Sequence, residues 1–151
     1  MNYSVYPLTR LEKKYVSFSF ESNNAQGTNP VPKMVSYVPY VRLGRKYFNL
    51  EFGDCDSEYE AIDDHIVTDN GDMRKVLKTV ASTLESFFQE FPNEEVHIDG
   101  SDLIRREYYN KLIRDYQNLI PSHFKVQGHS DNGLEVFRND VRYNFIVVCK
   151  L

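Results

Sequence analysis

Ser101, Arg105 and Tyr109 recur every four residues in "GSDLIRREYYNKL" and therefore fall along one side of a helix. An arginine one turn inside a helix start can grip a carboxylate or phosphate through two parallel N–H donors, and a tyrosine beside it adds a hydroxyl and a stacking surface. With Arg106 these residues form the candidate ligand- or partner-binding group. The competing reading pairs Arg105 or Arg106 with the acidic stretch of residues 51–72 and packs the tyrosines into the core. His97 and Asp99 stand two apart in "EEVHIDGS", so on a strand they share a face, which is the minimum of a general acid/base pair. Nothing nucleophilic is spaced to join them: neither cysteine is near, and no Gly-x-Ser-x-Gly elbow occurs. A hydrogen-bonded histidine is the plainer reading.

Between Glu51 and Asp72 the chain carries nine acidic residues and neither Lys nor Arg. Hard cations want several carboxylates, but a helix-loop-helix calcium loop counted from Asp54 would need glycine where Tyr59 stands. The stretch reads as a solvated acidic surface formed by Asp56, Glu58, Glu60, Asp63 and Asp64, with no metal. It runs into "TDNGDMRK", where a glycine-containing turn opens a helix. Such a turn presents free backbone N–H groups and a positive dipole end, the usual makings of a phosphate site. Asp69 and Asp72 argue otherwise. A carboxylate there is expected to cap the helix itself and to leave no room for an external anion.

The elements that hold these residues follow from hydrophobic period. In "KKYVSFSFES", Val16, Phe18 and Phe20 alternate with Ser17 and Ser19, which predicts a strand with an apolar and a polar face. "NNAQGTNPVPK" breaks structure, so a mobile loop is expected over 23–33. "MVSYVPYVRL" is extended, with Pro39 placing it at an edge or bulge. "KYFNLEFGD" is the next strand. Val76, Leu77, Val80, Leu84, Phe87 and Phe91 make one stripe of a helix ended by Pro92. A short strand with Val96 and Ile98 on one face follows, then a helix over 102–119 closed by Pro121. Closing strands come last, with a hairpin at "SDNG".

The 151 residues, 41% of them hydrophobic, are of single-domain size and can bury about two-thirds of their unfolded surface. A net charge of −4 provides no long-range attraction for nucleic acid or an anionic membrane. Cys55 and Cys149 follow no ligand spacing and read as reduced thiols of a cytoplasmic protein. No apolar run approaches the roughly 20 residues of a spanning helix. Tyr and Phe supply 21 residues with no Trp, which suits an aromatic core or an adhesive surface.

The order of strand 46–52, helix 72–91, strand 95–99, helix 102–119 and two closing strands resembles the second half of the GNAT acyltransferase fold, over about two-thirds of the chain. In that family an Arg/Gln-x-x-Gly-x-Gly/Ala turn holds the coenzyme A pyrophosphate. With its central glycine aligned on Gly71, Thr68 stands at the basic or amide position and Met73 at the last small one, and Asp69 and Asp72 oppose the pyrophosphate. Tyr108 or Tyr109 matches the family's acid that reprotonates the leaving thiolate. This resemblance implies acetyl-CoA as cofactor; otherwise no cofactor is expected.

A second resemblance covers most of the chain. "YFNLEFGD", "DNGDMRKVLKTVASTLESFF", "GSDLIRREYYNKLI" and the Asn-Gly hairpin are similar to a family of short, uncharacterised bacterial proteins. It implies no established activity; some such proteins are encoded beside a second small gene, which brings in a toxin–antitoxin or defence role. The expectation is one α+β domain over 1–151, with a mostly antiparallel twisted sheet of five to seven strands and two main helices. The expected function is a non-enzymatic interaction module with a protein partner or a second copy of itself; the alternative is an acyl-CoA-dependent transferase.

Overall fold

Two long strands, β3 (Val31–Arg42) and β4 (Arg45–Asp54), form a hairpin paired along its whole length and make the spine of the molecule. The computed structural model describes residues 5–42, 44–56, 58–59, 62, 70–99 and 103–151, apart from the side chains of Ile104, Arg105, Tyr108, Tyr116 and Leu119. The remaining strands are β1 (Thr9–Leu11), β2 (Val16–Ser22), β5 (Glu95–Ile98), β6 (Phe124–Ser130), β7 (Gly133–Val136) and β8 (Phe145–Lys150). They form one eight-stranded sheet in the order β1-β2-β3-β4-β5-β8-β6-β7. Every described pairing is antiparallel except β4 with β5. The α+β class and the central place of Val96 and Ile98 agree with the sequence. The strand count does not: the three-residue β1 is too short to show a period, and it exists because it pairs with the outer edge of β2.

Helix α1 (Met73–Glu90) and helix α2 (Leu103–Tyr116), the latter continued by a 3-10 turn at Gln117–Leu119, occupy one face of the sheet. Register fixes that face as Phe18, Phe20, Val35, Tyr37, Phe48, Leu50, Phe52, Val96, Ile98, Ile146 and Val148, all buried in one cluster with Phe87 and Phe88. α1 buries Val76, Leu84 and Phe87 of its expected stripe, while Leu77, Val80 and Phe91 are only partly buried. It also buries Thr79 and Thr83, which hydrophobic period passes over. These threonines are needed because Tyr37 and the N-terminal segment bring polar groups into the core. The Thr83 hydroxyl lies 2.6 Å from the Tyr37 phenol, and Thr79 Oγ1 accepts the Tyr6 backbone N–H at 2.9 Å. An unpaired polar atom there would cost about 1–3 kcal/mol.

Three further expectations are corrected. The loop of 23–33 is shorter: β3 begins at Val31 and Lys33 is fully buried. The residues before it are tied by side chains, with Asn24 Oδ1 accepting the Thr28 N–H and Asn70 Nδ2 donating to the Asn29 carbonyl. Ser17 and Ser19 are buried as well as their apolar neighbours; the Ser17 and Ser36 hydroxyls meet at 2.8 Å, which satisfies both. Asp72 is the N-cap residue of α1 but makes no side-chain cap. Its Oδ2 instead accepts the Tyr6 phenol at 2.5 Å and the Ser22 hydroxyl at 2.8 Å. Two hydroxyl donors on a carboxylate outweigh a backbone cap of about 1 kcal/mol, so Asp72 fastens the helix start to β2 and the N-terminal segment. Asp69 lies outside the described residues, as do Glu60, Asp63, Asp64 and Ser101.

Pro39 falls where sequence placed it, at a local edge, because β2 pairs with β3 only from Val31 to Tyr37. The hairpin expected at "SDNG" also forms: Asp131 and Asn132 connect β6 to β7, and Gly133, which opens β7 opposite Ser130, has a φ of 97°.

Candidate functional site

Strand alternation puts His97 on the sheet face opposite the helices, and its neighbours there are rings. Tyr40 stacks on Tyr47 at 5.8 Å between centroids, Tyr47 on His97 at 3.9 Å, His97 on Phe145 at 5.0 Å and Phe145 on His129 at 4.6 Å. Five stacked rings thus cross β3, β4, β5, β8 and β6 in one row. Leu134 on β7, paired in register with His129, extends it to the sheet edge. Each offset ring pair adds about 0.5–1.5 kcal/mol beyond its buried area. The middle of the row is closed and its ends are open: Tyr47 is 6% exposed and His97 7%, against 44% for Tyr40, 47% for Leu134 and 70% for Val136.

Arg42 seals the middle. Its guanidinium lies 5.6 Å from the Tyr47 ring centroid and 5.2 Å from that of Phe145, and it pairs with Asp99 Oδ2 at 3.5 Å. Asp99 is shared with Arg106, 3.8 Å away, and Arg45 pairs with Glu95 at 2.7 Å. The His97 partner is therefore Glu95, whose Oε1 accepts from Nε2 at 2.5 Å, and not the Asp99 expected from spacing. Asp99 lies at the end of β5 and is taken by the two arginines, whereas Glu95 is one strand repeat on the other side and faces the ring.

Burial lowers the His97 pKa, and the Arg42 and Arg45 charges lower it further, against an upward pull from Glu95. A depressed folded value means that the unfolded chain binds the extra proton first. Stability held by neutral His97 is therefore full above the ordinary histidine pKa of about 6.5 and is lost as pH falls below it. His97→Gln is expected to flatten the fall in unfolding free energy between pH 7.5 and 5.5, measured in urea. An unchanged slope would contradict a buried neutral His97.

The other sequence candidates separate. Tyr109, on the helix-covered face, is 5% exposed and its phenol donates to the Phe52 carbonyl at 3.4 Å. That carbonyl is reachable because β4 pairs with β5 only at Phe48 and Asn49, and the strands then part. Asn110 beside it donates to the Tyr143 carbonyl and accepts the Tyr143 N–H, clamping α2 to the segment before β8. The helical backbone places Arg105 and Tyr108 in α2, but their side chains are outside the described ones. Asp56 and Glu58 lie on the surface after β4, and the Glu58 N–H donates to Asp56. Burial and the adjacent Asp56 and Asp54 push the Cys55 thiol up to about 11, which keeps it protonated and unreactive at neutral pH. Among the described residues no three potential ligands converge on a metal position, and no helix is long and apolar enough to cross a membrane.

The row itself was missed from sequence. Tyr40, Tyr47, Phe145 and His129 sit on four different strands, and only pairing register reveals that they adjoin. The one available signal was aromatic or imidazole residues on the polar phase of otherwise apolar strands.

A family model described as a family of unknown function, DUF6934, matches residues 2–150. The chain belongs to that family. The sequence resemblance to an uncharacterised family is thereby supported, and membership brings no activity with it. Searches of curated proteins and of solved structures found no match.

Proposed function

We propose that this DUF6934 chain is a non-enzymatic interaction module that engages a protein partner through the face of its sheet opposite α1 and α2. The observation that carries the reading is the ring row, rigid in the middle and open at both ends. A preorganised aromatic surface loses little side-chain entropy on binding, and aromatic and arginine side chains are the usual anchors of interfaces. His97 fits this role better than catalysis: both its ring faces are covered by Tyr47 and Phe145, and Nε2 is held by Glu95. Arg42 and Arg45, with side chains 48% and 74% exposed, are each paired with a carboxylate, so the face offers exposed ion pairs around an apolar patch rather than a single sign of charge. In the two-gene arrangement of a toxin–antitoxin or defence pair, that partner is the product of the adjacent gene.

Co-expression with the adjacent gene product tests the reading. The pair is expected to co-purify, and Tyr40→Ala with Leu134→Glu is expected to weaken the complex at least tenfold while the chain melts within a few degrees of wild type. Retention of full affinity by that variant would remove the ring row from the interface.

One observation favours a second reading, an acyl-CoA-dependent transferase. The parallel pair β4 and β5 parts after two pairings, β8 lies between β5 and β6, and the Tyr109 phenol sits in the wedge. Against it stands the Asp72 carboxylate at the start of α1, where a pyrophosphate would bind. Melting with millimolar acetyl-CoA separates the two. A ligand at one hundred times its dissociation constant adds about 2.7 kcal/mol. The module reading expects no shift.

A further inference from the structure

Strand β7 closes one edge of the sheet, and among the described residues no strand lies beyond it. The Phe137 N–H donates to the Val126 carbonyl and Glu135 is set opposite Gly128, so both residues turn their backbone groups toward β6. By alternation Leu134 and Val136 turn theirs outward, which puts two N–H donors and two carbonyl acceptors in a row along the edge. Their side chains are exposed, on the face that carries the ring row. Sheet edges are often blunted by lysine or proline, and Gly133–Val136 has neither.

We propose that β7 takes up an extended segment of a protein partner as a further strand, with an apolar, a basic and an apolar residue set against Leu134, Glu135 and Val136. Outward donors and acceptors at this spacing are met by an extended backbone. Alternation then fixes the side chains of the added strand: two stand beside Leu134 and Val136 on the ring-row face, and one stands beside Glu135 on the helix-covered face, about 5 Å away in an antiparallel pair. Glu135 selects a cation at that position. Its carboxylate is held by the Tyr143 hydroxyl at 2.9 Å, while Arg138, the nearest arginine in sequence, pairs with Asp140 at 2.8 Å. A second copy of this chain is a poor occupant. Pairing β7 with itself sets the two Glu135 carboxylates opposite each other, which is destabilising. Sliding the register toward Arg138 does not help, because the Arg138 N–H already donates to the Tyr143 hydroxyl. The inference rests on the partner reading above and adds main-chain pairing at the end of its ring row.

A tethered strand tests the edge without the partner. The full chain is extended after Leu151 by a Gly/Ser linker of about 15 residues, which spans about 20 Å, and then by a short strand of alternating valine and lysine or, as control, valine and glutamate. Tethering raises the effective concentration to about millimolar. Amide exchange followed by NMR is expected to slow at least tenfold at Leu134 and Val136 with the lysine strand and less than twofold with the glutamate strand. Glu135→Lys is expected to reverse that preference. Val136→Pro removes an outward N–H and no bond to β6, so the fold is kept and the protection of Leu134 is expected to vanish. Protection by neither strand, equal protection by both, or protection that survives Val136→Pro would overturn the proposal. Failure of the partner reading shows elsewhere, as full affinity of the Tyr40→Ala, Leu134→Glu variant in the co-purified complex.

Discussion

Asp54→Ala is expected to cost about 3–5 kcal/mol of folding free energy, among the largest effects of any single substitution in this chain. The carboxylate lies 2.5 Å from Lys33 Nζ, and Lys33 has no exposed surface although it sits on the helix-covered face between Phe20 and Phe52. Burying an ammonium is tolerable only with its counter-charge in place. Removing Asp54 takes away the carboxylate that the buried Lys33 Nζ meets, whereas Lys33→Met with Asp54→Leu removes both charges and is expected to come close to wild type. Urea unfolding of the single and double variants measures this. A loss below about 1 kcal/mol for Asp54→Ala would mean that the lysine escapes to water and that the strand ends are looser than described.

Gly128→Ala is the second large effect, at about 3 kcal/mol. Gly128 faces the helices from β6, and the Tyr143 ring lies flat against its backbone, so that an added Cβ would overlap three ring carbons. The ring cannot move aside cheaply. Its hydroxyl donates to Glu135 and accepts the Arg138 N–H, and its own backbone is clamped by Asn110. Thermal unfolding should show a fall of several degrees or more. A melting temperature within a degree of wild type would mean that Tyr143 is not fixed there.

These two sites also mark what a sequence can carry. α1, β5 and the closing hairpin were legible because period, a terminating proline and an Asn-Gly turn are local signals. A lysine in the breaking stretch "TNPVPK" looks solvent-bound until strand pairing sets it opposite Asp54. The same holds for the ring row, whose members come from "YVPY", "RKYF", "EVHI", "QGHS" and "YNFI". The Asp72 expectation failed in its geometry because Tyr6 is 66 residues away in sequence. His97 was singled out for its chemistry, but its partner depended on which carboxylate the arginines had already taken.

The central claim is that the sheet face opposite α1 and α2 is the binding surface. Hydrogen exchange of the chain, free and in complex with the partner proposed above, tests it directly. Added protection is expected in residues 40–47 and 129–136, which bound the row at its two ends, with α2 unchanged. Protection confined to residues 103–116, with none across β3, β4 and β7, would place the interface on the other side of the sheet and contradict the account.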